Sequence, residues 1–224
     1  MAYIWKMWKE NIGVSQLLQS STLLSYAGKF LGEEKVYYDD CRHYKDEVPL
    51  LQNLHDLLSN TDAVVAHNGR RFDMKQIRGR MLVNKLPPLP PVKIIDTLDI
   101  AKKEFGFMSN SLAFLADVLK VPPKGEHKKF PGFLLWKECL KGNEEAWEEM
   151  RVYNIQDIDT LEEVYLRLRP WSTDHPNLGV FHQGEDIRCP KCGGTHLHKR
   201  GFAFTNVAKY QRYVCTSCGG WARS

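Results

Sequence analysis

At 224 residues the chain has room for one main core and a small satellite, since domains commonly hold on the order of 100–150 residues. Its formal charge of +4 is uneven: residues 187–224 hold seven Lys/Arg and no Asp/Glu, which leaves 24 basic and 27 acidic side chains in residues 1–186, a balance of −3. No apolar run nears the ~20 residues that span a bilayer and no charged-then-apolar leader opens the chain, so the composition excludes a helical membrane protein. It predicts a soluble, cytoplasmic protein whose basic tail meets a polyanion.

In chain order, Thr22–Phe30 and Lys35–Asp39 read as strands joined by a turn at Leu31-Gly32-Glu33-Glu34. Leu50, Leu51, Leu54, Leu57 and Leu58 recur at helical spacing and predict a helix over Glu47–Leu58. Ala63–Ala66, following Asn60-Thr61-Asp62, is a short buried strand; His67-Asn68-Gly69 is its exit and Phe72–Val83 the next helix. The prolines at 87, 88, 90 and 91 interrupt the chain before a strand at Val92–Asp96. Helices follow near Leu98–Phe105, Ser111–Leu119 and Glu144–Leu168, with a loop at Pro122–Pro131 before the last. In that last stretch Trp147, Met150, Tyr153, Ile158, Leu161 and Tyr165 recur at three- to four-residue steps, so Asp157 lies one turn beyond Tyr153 on the same face. Pro170 ends the helix, and residues 171–186, with Pro176, Gly179 and Gly184 among polar residues, read as a linker.

The strand-helix alternation predicts an α/β fold with a mixed sheet. The predicted division is a main domain over residues 1–170, the linker, and a satellite over residues 187–224. Cys189, Cys192, Cys215 and Cys218 form two Cys-x-x-Cys pairs 22 residues apart, each followed by Gly-Gly. Four thiolates at this spacing suit tetrahedral Zn²⁺, and about forty residues hold too little core to fold without such a staple. The satellite is therefore expected to be a zinc ribbon built on a β-hairpin. Between its knuckles Lys199, Arg200, Lys209 and Arg212 interleave with Phe202, Phe204, Tyr210 and Tyr213, a composition that neutralises phosphates and stacks bases; the plainer reading makes the aromatics a miniature core. The run from Gln211 to Gly219 resembles zinc ribbons attached to transposases and other DNA-acting proteins.

Two carboxylate motifs stand out in the main domain, His67-Asn68-x-x-x-Phe72-Asp73 at a strand exit and Tyr153-x-x-x-Asp157 on the long helix, with Ile95-Asp96-Thr97-Leu98 between them. Over roughly residues 20–169 they resemble, in order and spacing, the second and third motifs of the DEDDy 3′–5′ exonucleases. These are similar to polymerase proofreading domains and have the ribonuclease H-like fold; bacterial and phage relatives with a C-terminal zinc ribbon look nearest. The resemblance implies that Asp73 and Asp157 ligate Mg²⁺ or Mn²⁺, that Tyr153 orients the attacking water, that Asn68 braces the strand exit or substrate, and that Phe72 packs under the site. It also implies single-stranded DNA or RNA as the partner.

Two dications about 4 Å apart demand hard carboxylate oxygens. Taken singly, Asp73 reads equally as a helix N-cap, and Tyr153 and Asp157 as the polar edge of an amphipathic helix. Asp96 reads as the cap of the helix after it. The family's opening Asp-x-Glu motif does not occur before the first predicted strand, where the first acid is Glu10. Two carboxylates are a poor cage for two dications, so the expectation is an exonuclease lacking its first strand at the N-terminus. The alternative is a degenerate, non-catalytic scaffold whose ribbon binds nucleic acid, and a third reading has Trp5 and Trp8 dock a partner. Trp136 and Trp147 read as core aromatics, and Lys124, His127, Lys128 and Lys129 as a loop gripping phosphates or a solvated charge run.

Overall fold

A computed structural model describes residues 21–123, 128–182, 184 and 186–224. The readings placed on Trp5, Trp8, Glu10, Lys124 and His127 lie outside the described residues. Strand β1 (Ser25–Lys29) pairs antiparallel with β2 (Val36–Asp40), Ser25 facing Asp40 and Lys29 facing Val36. Helix α1 (Val48–Ser59) buries Leu50, Leu51, Leu54 and Leu58, one face of the leucine repeat. Strand β3 (Ala63–Ala66) pairs in parallel with β4 (Lys93–Asp96), and the crossover that parallel pairing requires is helix α2 (Asp73–Val83). The described residues up to Asp96 thus supply one antiparallel and one parallel pair, in which β1 and β3 each pair along one edge only.

Helices α3 (Thr97–Glu104), α4 (Leu112–Leu119), α5 (Leu134–Leu140) and α6 (Glu144–Leu168) complete the α/β layer. Asn143 caps α6, its side-chain oxygen accepting from the amides of Glu145 and Ala146, while Ser111 caps α4 through Phe114 N. The seven residues of α5 were not predicted as a helix. They are too few for a periodic signal, and what fixes them is Leu135 and Cys139 packing on Ala146, Trp147 and Met150 of α6.

Helix α6 is common to two cores. Its first half joins Phe130, Leu135 and Cys139, and its second half, through Val164, Tyr165 and Leu168, joins Ile95, Ile100, Ala101, Leu115 and Ala116. It also clamps the hairpin: Lys29 pairs with Asp159 and Glu162, Gly32 N donates to Glu162 Oε1 at 2.8 Å, and Asn154 Nδ2 donates to Ser25 Oγ at 3.0 Å.

A second tie holds α2 to α1. Glu47, 7 % exposed, accepts from Leu23 N at 2.7 Å, Arg80 Nε at 2.7 Å and Asn84 Nδ2 at 2.8 Å, with Arg80 Nη2 also on Oε1.

After α6 come short 3₁₀ turns at Arg169–Trp171 and Leu178–Phe181, then an antiparallel sheet of β5 (Leu197–Phe204), β6 (Lys209–Cys215) and β7 (Trp221–Arg223) in the order β5-β6-β7. This unit is seated on the end of the main layer. Lys191 is buried and its Nζ donates to the Ser172 carbonyl, while Leu178 N donates to Pro190 O at 2.8 Å. Beneath it the Tyr165 hydroxyl bonds His175 Nε2 at 2.9 Å; the other ring nitrogen bonds the Pro176 carbonyl at 2.7 Å and must be the donor there, so Tyr165 donates. No helix of the described residues is long and apolar enough to cross a membrane.

Candidate functional site

The exit of β3 is shaped by Asp96, the last residue of the neighbouring strand. Its Oδ1 accepts from Asn68 N at 2.8 Å and from Leu98 N at 3.1 Å, and its Oδ2 accepts from Arg70 N at 3.0 Å. Asp96 therefore caps α3, as its sequence context implied, and at the same time ties down the turn that follows β3. That second role depends on the β3–β4 register, in which Ala66 faces Asp96, and no local sequence signal carries it.

Asn68 takes a left-handed φ of 63°, which asparagine tolerates better than most residues. Gly69 follows because a Cβ there would lie 2.3 Å from Ala66 Cβ and 3.6 Å from Asp73 Oδ2. The Thr97 hydroxyl donates to Ala66 O at 3.2 Å and so receives the Nδ1 proton of His67, 2.9 Å away, which fixes the His67 tautomer.

Asp73 opens α2. It is not the N-cap, a position held by Phe72 without a side-chain bond. Desolvation, with the Asp96 charge as a lesser cause, holds the Asp73 pKa above its ordinary value, although the residue as a whole is exposed and solvent screens part of the effect. Phe72 keeps 39 % of its surface exposed, so its ring packs only in part. Two exposed guanidiniums flank the turn: that of Arg70 donates through Nη2 to the Ile94 carbonyl at 2.8 Å, and Arg70 and Arg71 reach Asp99 only at 3.7 and 3.9 Å. Neither arginine was singled out from sequence, where consecutive Arg residues after a glycine look like any solvated turn.

Asp157 sits where α6 passes from one core to the other. It is seven residues from both Met150 and Val164, two turns in either direction, and these neighbours are 2 % and 0 % exposed. Asp157 is itself half-buried. Tyr153, one turn earlier, meets Trp136 edge-on at 6.3 Å. In the loop before α5, Lys129 pairs with Glu145 and its amide donates to Glu149 Oε1 at 2.9 Å, so its ammonium is held against α6.

A family model described as the RNase_H superfamily matches residues 10–169, the span that runs through β1 to the end of α6. The chain belongs to the RNase H superfamily. No curated protein matches it. RNase H superfamily membership makes the main layer a nuclease-like or nucleic-acid-binding scaffold, and such folds generally use divalent metals. The residues present fit that requirement only in part. Outside the four cysteines, no group of three or more His, Cys, Asp or Glu among the described residues is placed to hold a metal ion.

Beyond this RNase H layer the four cysteines do converge. The Sγ atoms of Cys189, Cys192, Cys215 and Cys218 all lie within 4.8 Å of one another, with Cys189–Cys218 at 3.7 Å and Cys192–Cys215 at 3.6 Å. A tetrahedron with Zn–S arms of about 2.3 Å has edges of about 3.8 Å, so the cluster can accept zinc with little movement. Both knuckles are built alike. Gly193 N donates to Cys189 O and Gly219 N to Cys215 O, each at 2.8 Å, with φ of 71° and 77° at the two glycines. In the hairpin, Lys199, Arg200, Phe202, Phe204, Lys209 and Arg212 are all exposed, and Lys209 Nζ sits 3.8 Å from the Phe202 ring centroid.

Proposed function

We propose that the chain is a metal-dependent 3′–5′ exonuclease-like protein acting on the 3′ ends of single-stranded nucleic acid. In this reading residues 1–170 form the nuclease unit, 171–186 connect it, and 187–224 form a zinc ribbon that holds the strand. The observation that carries it is Asp157, a carboxylate at the core-facing centre of α6 in an RNase H superfamily scaffold.

Asp73 and Asp157 would offer oxygens to Mg²⁺ or Mn²⁺, which when bound supply Lewis acidity for phosphodiester hydrolysis. Tyr153 would orient water, while Asn68 and Phe72, with the flanking Arg70 and Arg71, would receive the strand. Lys199, Arg200, Lys209 and Arg212 would neutralise its phosphates on the ribbon, where Cys189, Cys192, Cys215 and Cys218 hold structural Zn²⁺. The cage needs further carboxylates, and the edges of β1 and β3 that no described residue pairs are where a strand carrying them would find backbone partners.

The incomplete cage favours a second reading, a non-catalytic nucleic-acid-binding protein in which the scaffold supports the ribbon. Trimming of 3′-labelled single strands with Mn²⁺ separates the two. The first reading expects trimming that Asp157→Asn abolishes. Trimming that survives the substitution unchanged would remove Asp157 from the chemistry, and strand binding by a wild-type protein that never trims would establish the second reading.

A further inference from the structure

The ribbon sheet has two faces, and the register assigns its residues to them. Across β6 and β7, Arg212 faces Arg223 and Val214 faces Trp221, while across β5 and β6, Ala203 faces Tyr210. Residues directly opposite in an antiparallel pair share a face, so Tyr210, Arg212, Trp221 and Arg223 lie together on one side. Lys199 and Lys209, opposite Tyr213 and Phe204, lie on the other side, whose inner half is closed by buried Tyr213 and Cys215.

On the first side the four side chains form two diagonal pairs. The Arg212 guanidinium sits 4.8 Å from the Trp221 ring centroid, and that of Arg223 sits 5.2 Å from the Tyr210 ring. Trp221 leaves half of its surface exposed, and both arginines are exposed. Two arginines set directly opposite each other destabilise a sheet, and residues 187–224 hold no acidic residue to offset them. Arg212 donates its Nε to the Arg200 carbonyl at 2.9 Å, which fixes the stacked plane, and a planar guanidinium keeps its terminal Nη donors available while stacked, so each ring-and-guanidinium pair offers a flat surface beside a phosphate ligand.

We propose that this face, made by Tyr210, Arg212, Trp221 and Arg223, is a stacking platform for single-stranded nucleic acid, with bases on the rings and backbone phosphates on the two guanidiniums. The proposal rests on the strand-holding role given above to the ribbon and names the face and the residues that carry it. A polyanion resolves the repulsion between Arg212 and Arg223, which gives the pairing its charge complementarity. Nothing on the face singles out a 2′-hydroxyl, so the platform reads base faces and phosphates and is indifferent to the sugar.

The test uses the full, zinc-loaded chain and fluorescence anisotropy with oligothymidine and oligouridine of about twelve nucleotides. Trp221→Ala is expected to weaken binding about five- to tenfold with the salt dependence unchanged, and Trp221→Phe to restore most of it. Arg212→Ala with Arg223→Ala should lower the slope of log affinity against log salt by about two. The two sugars should bind within about threefold of each other, and a larger preference would overturn the sugar-blind platform. Zinc content, measured on each variant, confirms that the ribbon is intact. If Lys199→Ala with Lys209→Ala weakens binding while Trp221→Ala does not, the strand uses the opposite face: the platform is wrong and the ribbon still binds. If no variant changes affinity, the ribbon's strand-holding role falls with it.

Discussion

Replacing Glu47 by Gln tests how the RNase H layer holds α2, the helix that opens with Asp73. The carboxylate is 7 % exposed and takes bonds from the Arg80 guanidinium, the Leu23 amide and Asn84. Breaking a buried pair by removing one charge costs about 3–5 kcal/mol. Glutamine keeps one acceptor oxygen and Arg80 retains 15 % exposure, so the cost here is reduced to about 2–3 kcal/mol. For a chain of this size that is a fall in Tm of about 5–10 °C.

The pH dependence follows from the same contacts. Burial alone would raise the Glu47 pKa, but Arg80, Leu23 N and Asn84 together hold it below the ordinary 4.5. A depressed folded pKa means that the stabilisation is fully present above 4.5 and drains away as pH falls through the folded value. Thermal melts of wild type and Glu47→Gln should therefore differ most near neutrality and converge in acid. A neutral-pH difference under about 2 °C, or curves that stay parallel into acid, would refute this account of the tie.

Other outcomes follow from the site and the ribbon. Asp96→Asn can keep its oxygen toward the Asn68 and Leu98 amides but then sets an NH₂ group against Arg70 N, so it should cost about 1–3 kcal/mol in chemical denaturation; a change within experimental error would mean that Asp96 does not hold the β3 exit. Zinc should bind in a one-to-one ratio, and chelation should strip hydrogen-exchange protection from β5 and β6 while α6 keeps its own. Ribbon amides that stay protected without metal would show that the hairpin folds on its own core.

Strand β3 and helix α6 were legible to the residue, because an apolar run bounded by polar turns and a long stripe at helical spacing are signals carried within each segment. The four cysteines were equally legible, since a chelate's spacing is written locally. What sequence left hidden is what register and packing create. Asp96 reaching the amides of Asn68 and Arg70, Glu47 gathering α1 and α2, and Trp221 meeting Arg212 all join residues that look ordinary where they stand. Asp157 looked like the edge of an amphipathic helix, and only the burial of Met150 and Val164 reveals that it occupies the centre of the stripe.

The anchoring of Lys191 on the Ser172 carbonyl has a consequence for engineering. A tethered module reaches as far as its tether allows, but a docked one reaches as far as its dock allows. With the ribbon seated through Lys191, Leu178 and Pro190, adding residues between 179 and 186 would leave its distance from α6 unchanged. To change the span between ribbon and RNase H layer, one would have to release a buried ammonium from a carbonyl, which makes position 191 and not loop length the adjustable joint of this protein.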